Sequence, residues 1–216
     1  VVSLKTVLCY GDSLTWGTNA ETGGRHHDED RWPSVLQKSL GSTVNVIAEG
    51  LRGRTTAFDC GLADSDRNGA RILPTLLESH APLDLVIIML GTNDLKPYIH
   101  GSAMAAMRGI DKLVRLVRHH HWRSNDWDTP EILIVSPPLV CETADPVMGA
   151  LYRGAISESA MLASLYRDLA DELGCGFFDA ASVAKASPTD GVHLDADNTR
   201  AIGRGLEPVV RMMLGV

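Results

Sequence analysis

Residues 83–94 read Leu-Asp-Leu-Val-Ile-Ile-Met-Leu-Gly-Thr-Asn-Asp. From Leu85 to Leu90 the side chains are all apolar, with no alternation. A strand with one wet face alternates, whereas an unbroken run is covered on both faces, as in a parallel sheet held between helices. The run is far shorter than the ~20 residues that cross a bilayer. We read residues 83–90 as a buried strand. Val7-Leu8-Cys9-Tyr10, Val44 to Ala48, Ile132 to Val135 and Gly176-Phe177-Phe178 have the same character. Helical patterns lie between these runs. Met104, Met107, Leu113, Val114 and Val117 step by threes and fours, with Arg115, Arg118 and His119 suited to a C-terminal turn. Leu162, Leu165, Leu169 and Leu173 do the same before Gly174. Ile202, Leu206, Val209, Val210 and Met213 form a last apolar face, with Asp195 as the expected N-cap. Trp32 before Pro33 reads as a structural helix entry. Five strands alternating with helices predict one domain over residues 1–216: a three-layer α/β/α sandwich around a five-stranded parallel sheet with right-handed crossovers.

Composition agrees with a single globular unit. The 216 residues are 44% hydrophobic and 22% charged, and 20 Lys+Arg against 27 Asp+Glu leave a net charge of −7. That balance speaks against a nucleic-acid binder, which would need a basic face. Cys9, Cys60, Cys141 and Cys175 form no CxxC pair, so they are expected as reduced thiols, most of them buried. With a strand-like run beginning by Thr6 and no membrane span, a soluble, cytoplasmic protein is expected.

Ligands of such sheets bind beyond the carboxyl ends of the strands. The first strand is followed by Gly11-Asp12-Ser13, the second by residues 49–54, the third by Gly91-Thr92-Asn93-Asp94, and the fifth, after a loop, by Asp190-Gly191-Val192-His193. A serine hydroxyl is a weak nucleophile until a base takes its proton, and a carboxylate orients that base. Asp190 and His193 are spaced to supply both to Ser13. Asn93 offers a side-chain amide for an acyl oxyanion, with the backbone N–H groups of Ser13 and Gly53 as companions. The long stretches 17–31, 50–70 and 137–154 look irregular, and the latter two, which follow strand ends, are expected to wall the pocket.

Gly11-Asp12-Ser13-Leu14, Gly50 with Gly53, Gly91-Thr92-Asn93-Asp94 and Asp190-Gly191-Val192-His193 resemble, in order, the four sequence blocks of the GDSL/SGNH hydrolases. Gly11 to Gly17, Glu49 to Thr56 and Leu83 to Asp94 are similar to the arylesterase and acyltransferase branch. The resemblance implies a flavodoxin-like SGNH fold, with Ser13 as nucleophile, His193 as base and Asp190 as its partner. It makes Ser13 N–H, Gly53 N–H and the Asn93 amide the oxyanion donors. It further implies a homo-oligomer acting on small-molecule esters, without a cofactor. The GxSxG elbow of the α/β-hydrolases is absent, since Asp12 and Leu14 flank Ser13. Expected chemistry is hydrolysis of short-chain esters, including aryl acetates. Transfer of the acyl group to alcohols or peroxide and carbohydrate deacetylation are the alternatives. A non-catalytic binding module on the same scaffold is the reading from another class.

Blander roles compete at several positions. Ser13 is also a good N-cap, and Asp190 with His193 could be a capping pair. Asp12 is expected to shape the turn and Asp94 to bond local backbone. Trp16 either lines the acyl pocket or packs in the core, and Arg52 points into the pocket or away from it. His119-His120-His121 reads as a solvated helix end, and residues 26–30 (His-His-Asp-Glu-Asp) as a solvated or subunit-contacting surface, with a metal-dependent hydrolase built on residues 26–30 as a third functional reading. Trp122 and Trp127 are read by default as local packing, with a subunit interface as the other reading.

Overall fold

The computed structural model describes residues 4–216. Its strands are β1 (Lys5–Gly11), β2 (Val44–Gly50), β3 (Leu85–Met89), β4 (Glu131–Ser136) and β5 (Gly176–Asp179). They form one five-stranded sheet in the order β2-β1-β3-β4-β5, every pair parallel. The helices are α1 (Ser13–Trp16), α2 (Trp32–Leu40), α3 (Gly69–His80), α4 (Ala103–Arg118), α5 (Pro146–Leu151), α6 (Ala155–Leu173) and α7 (Ala196–Leu214).

The unalternated run at β3 is explained by the two cores on either side of it. Successive side chains of a strand point to opposite faces. Val86 and Ile88 join a core with residues of α3, α4 and α6, while Leu85, Ile87 and Met89 join one with residues of α2 and α7. All five are at most 1% exposed, and each such side chain contributes roughly 1.5–3 kcal/mol of burial. The strand is shorter than the apolar run suggests. Just before it, Asp84 keeps backbone bonds to Thr6 and Glu131 while its carboxylate accepts from Lys5 Nζ at 2.8 Å and Thr6 N at 2.7 Å.

Caps follow the expected chemistry. Asp195 opens α7 by accepting from Asn198 N, and Gly174 closes α6 in the left-handed region. Trp32 is fully buried at the start of α2, with Pro33 in its first turn.

Several expectations are corrected. Residues 50–70 run irregular up to Asn68, which caps the unforeseen α3 by accepting from Ala70 N and Arg71 N. Residues 137–154 carry α5, capped by Asp145. Met104 is exposed, because Ala103, Ala106 and Ile110 turn the buried face of α4 away from it. Of the four free thiols only Cys9 is buried, since it alone lies inside a strand; burial pushes its pKa far up. Trp122 keeps the local packing read by default, a core residue whose Nε1 donates to Val117 O at 2.7 Å. His26 is buried rather than solvated, its Nε2 lying 2.9 Å from Leu194 O. His120 departs from the solvated turn as well: it pairs with Glu78 at 3.0 Å and packs edge-on to Trp122. Among the described residues no helix is long and apolar enough to cross a membrane.

Candidate active site

Ser13 stands at the carboxyl end of β1, where the chain turns into α1. Asp12 makes that turn, its Oδ1 accepting from Leu14 N at 2.9 Å. This fixes the first helical residue, so the Ser13 hydroxyl faces the rim of the sheet. From the other end of the chain, the loop before α7 brings His193, with Nε2 2.9 Å from Ser13 Oγ. His193 Nδ1 lies 2.6 Å from Asp190 Oδ2. The other carboxylate oxygen accepts from Val192 N at 2.9 Å and His193 N at 2.8 Å, so one aspartate shapes the loop and aims the ring. Burial pushes the Asp190 carboxyl up. The bonds from the His193 ring and from Val192 N–H more than offset that, leaving it below its ordinary value. The three residues expected from sequence are thus joined by two hydrogen bonds.

Gly53 and Asn93 line the same cavity as Ser13 and His193. Gly53 has φ of +80°, and a Cβ there would lie 2.7 Å from Arg67 Nη1. The positive φ is what favours glycine here, since the Arg67 side chain could shift. Asn93 sits in a tight turn after β3. Its Nδ2 donates to Arg54 O at 3.0 Å and to Asp12 Oδ2 at 3.2 Å, and its Oδ1 accepts from Tyr152 at 3.2 Å. Asp12 therefore does more than shape its turn. It is fully buried, and desolvation pushes its pKa up to about 6 against the pull of Leu14 N–H and of nearby positive charges.

Asp94 is structural as expected, held in part by its own backbone N–H. It crosses to the loop after β2, accepting from Thr56 N at 3.1 Å and in a short bond from Thr56 Oγ1. Burial pushes it up to about 7 in spite of these bonds. Through this clamp the turn carrying Asn93 and the loop carrying Gly53 share one frame. Buried Arg54 strengthens the same loop by donating to Gly11 O at 3.0 Å and to Glu49 O.

Trp16 is not on the cavity wall. The backbone of Gly50 packs against that of Trp16, and the indole lies between the guanidinium groups of Arg25 and Arg52, at 4.6 and 5.2 Å from its ring centre. Arg52 also contributes to the cavity wall, while its guanidinium lies over the Trp16 ring. Arg67, Lys96, Met148, Leu151 and Tyr152 complete the wall, and none was singled out from sequence. They come from the expected loops 50–70 and 137–154 and from the turn after Asp94, where no period marks an inward side chain. The cavity holds about 350 Å³. No group of metal-ligating side chains occurs among the described residues, the His26 region included.

The model of the GDSL-like lipase/acylhydrolase family matches residues 9–201. The chain belongs to that family. No curated protein matches it. Among solved structures, this GDSL-like acylhydrolase is similar to a carbohydrate acetylesterase family member from Sinorhizobium meliloti. The two are 68% identical with a TM-score of 0.97, over 98% of this chain and 100% of the other. The native aryl esterase of M. smegmatis is 38% identical with a TM-score of 0.93, over 97% and 100% of the two chains. A second carbohydrate acetylesterase from Sinorhizobium meliloti is 36% identical with a TM-score of 0.91, over 97% and 99%. The sandwich expected from sequence is the fold of these neighbours, and as a GDSL-like acylhydrolase the chain is a carboxylic ester hydrolase.

Proposed function

We propose that this hydrolase cleaves short-chain carboxylic esters, acetates foremost, through an acyl-enzyme on Ser13. The observation that carries the reading is the unbroken line Asp190–His193–Ser13, at 2.6 and 2.9 Å. His193 takes the Ser13 proton through Nε2 as Oγ attacks the carbonyl carbon. Asp190 holds Nδ1–H and stabilises the imidazolium that forms. The oxyanion is met by the N–H groups of Ser13 and Gly53 and by Asn93 Nδ2, whose 3.2 Å contact with Asp12 is the longer of its two and the one it gives up. His193 then passes the proton to the leaving alcohol. Water, deprotonated by the same ring, releases the acid. Each step uses only these groups and water.

A cavity of about 350 Å³ lies near the lower end of ligand-pocket sizes and suits a small acyl group. A specific observation favours carbohydrate acetates as the substrate class beside aryl acetates: a structure 68% identical is described as a carbohydrate acetylesterase family member. Hydrolysis of 4-nitrophenyl acetate, butyrate and octanoate, with an acetylated xyloside in parallel, tests the reading. Turnover should fall with chain length and vanish in Ser13→Ala. Activity that survives Ser13→Ala would overturn it.

A further inference from the structure

The wall of the Ser13 cavity carries three cations, Arg52, Arg67 and Lys96, and no carboxylate among the described lining residues. In a chain with a net charge of −7 this is a local reversal of sign. Several cations elsewhere are neutralised by carboxylates. Arg71 pairs with Asp59 and Asp66, Arg200 with Asp30 and Asp197, Arg115 with Asp111, and Arg211 with Glu207. The three at the cavity enter no ion pair among the described residues.

Their surroundings make this costly. Lys96 is half-buried, with Nζ 5.1 Å from the centre of the Tyr152 ring. Burial draws its pKa down and the positive charge of Arg67 draws it further, against the opposing pull of the Asp12 and Asp94 carboxyls behind the wall. The Nε of Arg67 is shut off from solvent with no hydrogen-bond partner, while its Nη1 lies against Gly53, beside the proposed oxyanion site. A buried donor without an acceptor and two neighbouring like charges both raise the energy of the empty site. The transient oxyanion already has three donors of its own. What the wall lacks is a lasting negative charge.

We infer that the preferred ester carries a carboxylate close to the scissile bond, held by Arg67 and Lys96 with Arg52 at the entrance. The inference rests on the reading of Ser13 as nucleophile and adds a substrate class to it. Arg67 offers a guanidinium fork and Lys96 a point charge, a combination suited to a carboxylate. The anion can sit on the alcohol side, as in an acetylated acidic sugar or aryl acid, or on the acyl side, as in a dicarboxylate monoester.

Matched pairs of esters test this with the full chain. On the alcohol side, 4-carboxyphenyl acetate is compared with 4-carbamoylphenyl acetate. On the acyl side, the 4-nitrophenyl monoester of glutaric acid is compared with 4-nitrophenyl pentanoate, after subtraction of the uncatalysed rates. In one pair the carboxylate should raise kcat/KM about tenfold or more, the scale of a charge-assisted contact. The preference should collapse toward unity in Arg67→Gln and in Lys96→Gln. Added salt should reduce kcat/KM for the charged member far more than for the neutral one, a readout that needs no variant. Ser13-dependent turnover of the neutral esters with no carboxylate preference in either pair would overturn the inference and leave the esterase reading standing. Absence of Ser13-dependent turnover for all four esters would overturn the esterase reading and the inference with it.

Discussion

The Tyr152 hydroxyl donates to Asn93 Oδ1 across 3.2 Å, tying the end of α5 to the turn after β3. With its oxygen held this way, the Asn93 amide nitrogen must face Asp12, the Arg54 carbonyl and the cavity. Tyr152→Phe removes the tie and leaves the ring in place. We expect kcat to fall about 3- to 10-fold, in keeping with the loss of one modest hydrogen bond. KM should hold steady, because the acyl group still finds the same wall. Steady-state kinetics on 4-nitrophenyl acetate check this, and an unchanged kcat would show that Asn93 needs no such support.

Asn93→Ala removes a proposed oxyanion donor outright. The expected loss is on the order of 10²–10³ in kcat, as for other single-donor deletions. Circular dichroism should show the fold retained, since the β3 ladder does not depend on this side chain. Near-normal rates would remove Asn93 from the oxyanion site.

Asp94 gives a pH dependence of stability with a definite sign. Burial raises its folded-state pKa to about 7, above the ordinary carboxyl value of 3.8. Between these values the native state holds a proton that the unfolded chain has released, so the contribution of Asp94 is full below about pH 4 and is lost as the pH rises toward 7. Asp94→Asn mimics the protonated form. Its melting temperature should therefore gain on wild type from pH 4 to 7 and run parallel above that. A difference independent of pH would show that Asp94 is ionised throughout.

Gly109 lies inside α4, where alanine normally stabilises a helix by about 1 kcal/mol. Here a Cβ would fall 1.8 Å from Thr56 Oγ1, the hydroxyl that clamps Asp94. Gly109→Ala should lower stability instead, by roughly 1–3 kcal/mol as for other overpacked sites. Denaturant melts decide it, and a stabilised variant would mean that the clamp yields freely.

What could be read in the sequence follows from how each residue is placed. Ser13, Asn93, Asp190 and His193 are legible because two of them follow buried strands directly and the other two sit in a short turn of recognisable chemistry. Tyr152, Arg67 and Lys96 are not, because they lie outside regular elements whose period would mark an inward side chain. Trp16 misleads through spacing alone: it is one turn from Ser13, but the close packing of Gly50 against its backbone sends the indole toward Arg25 and Arg52. His26 looks solvated among charged neighbours, yet the carbonyl of Leu194, far along the chain, draws it inside.

The hydrogen bond between Ser13 and His193 spans 180 positions of chain. On the proposed mechanism, a nascent polypeptide has Ser13 long before His193 and stays inert until the segment before α7 has been made and seated. Turnover is thus a late reporter of folding. A cut or a destabilising change near the C-terminus should silence the molecule while most of its sheet and helices persist, so that loss of activity and loss of secondary structure need not coincide.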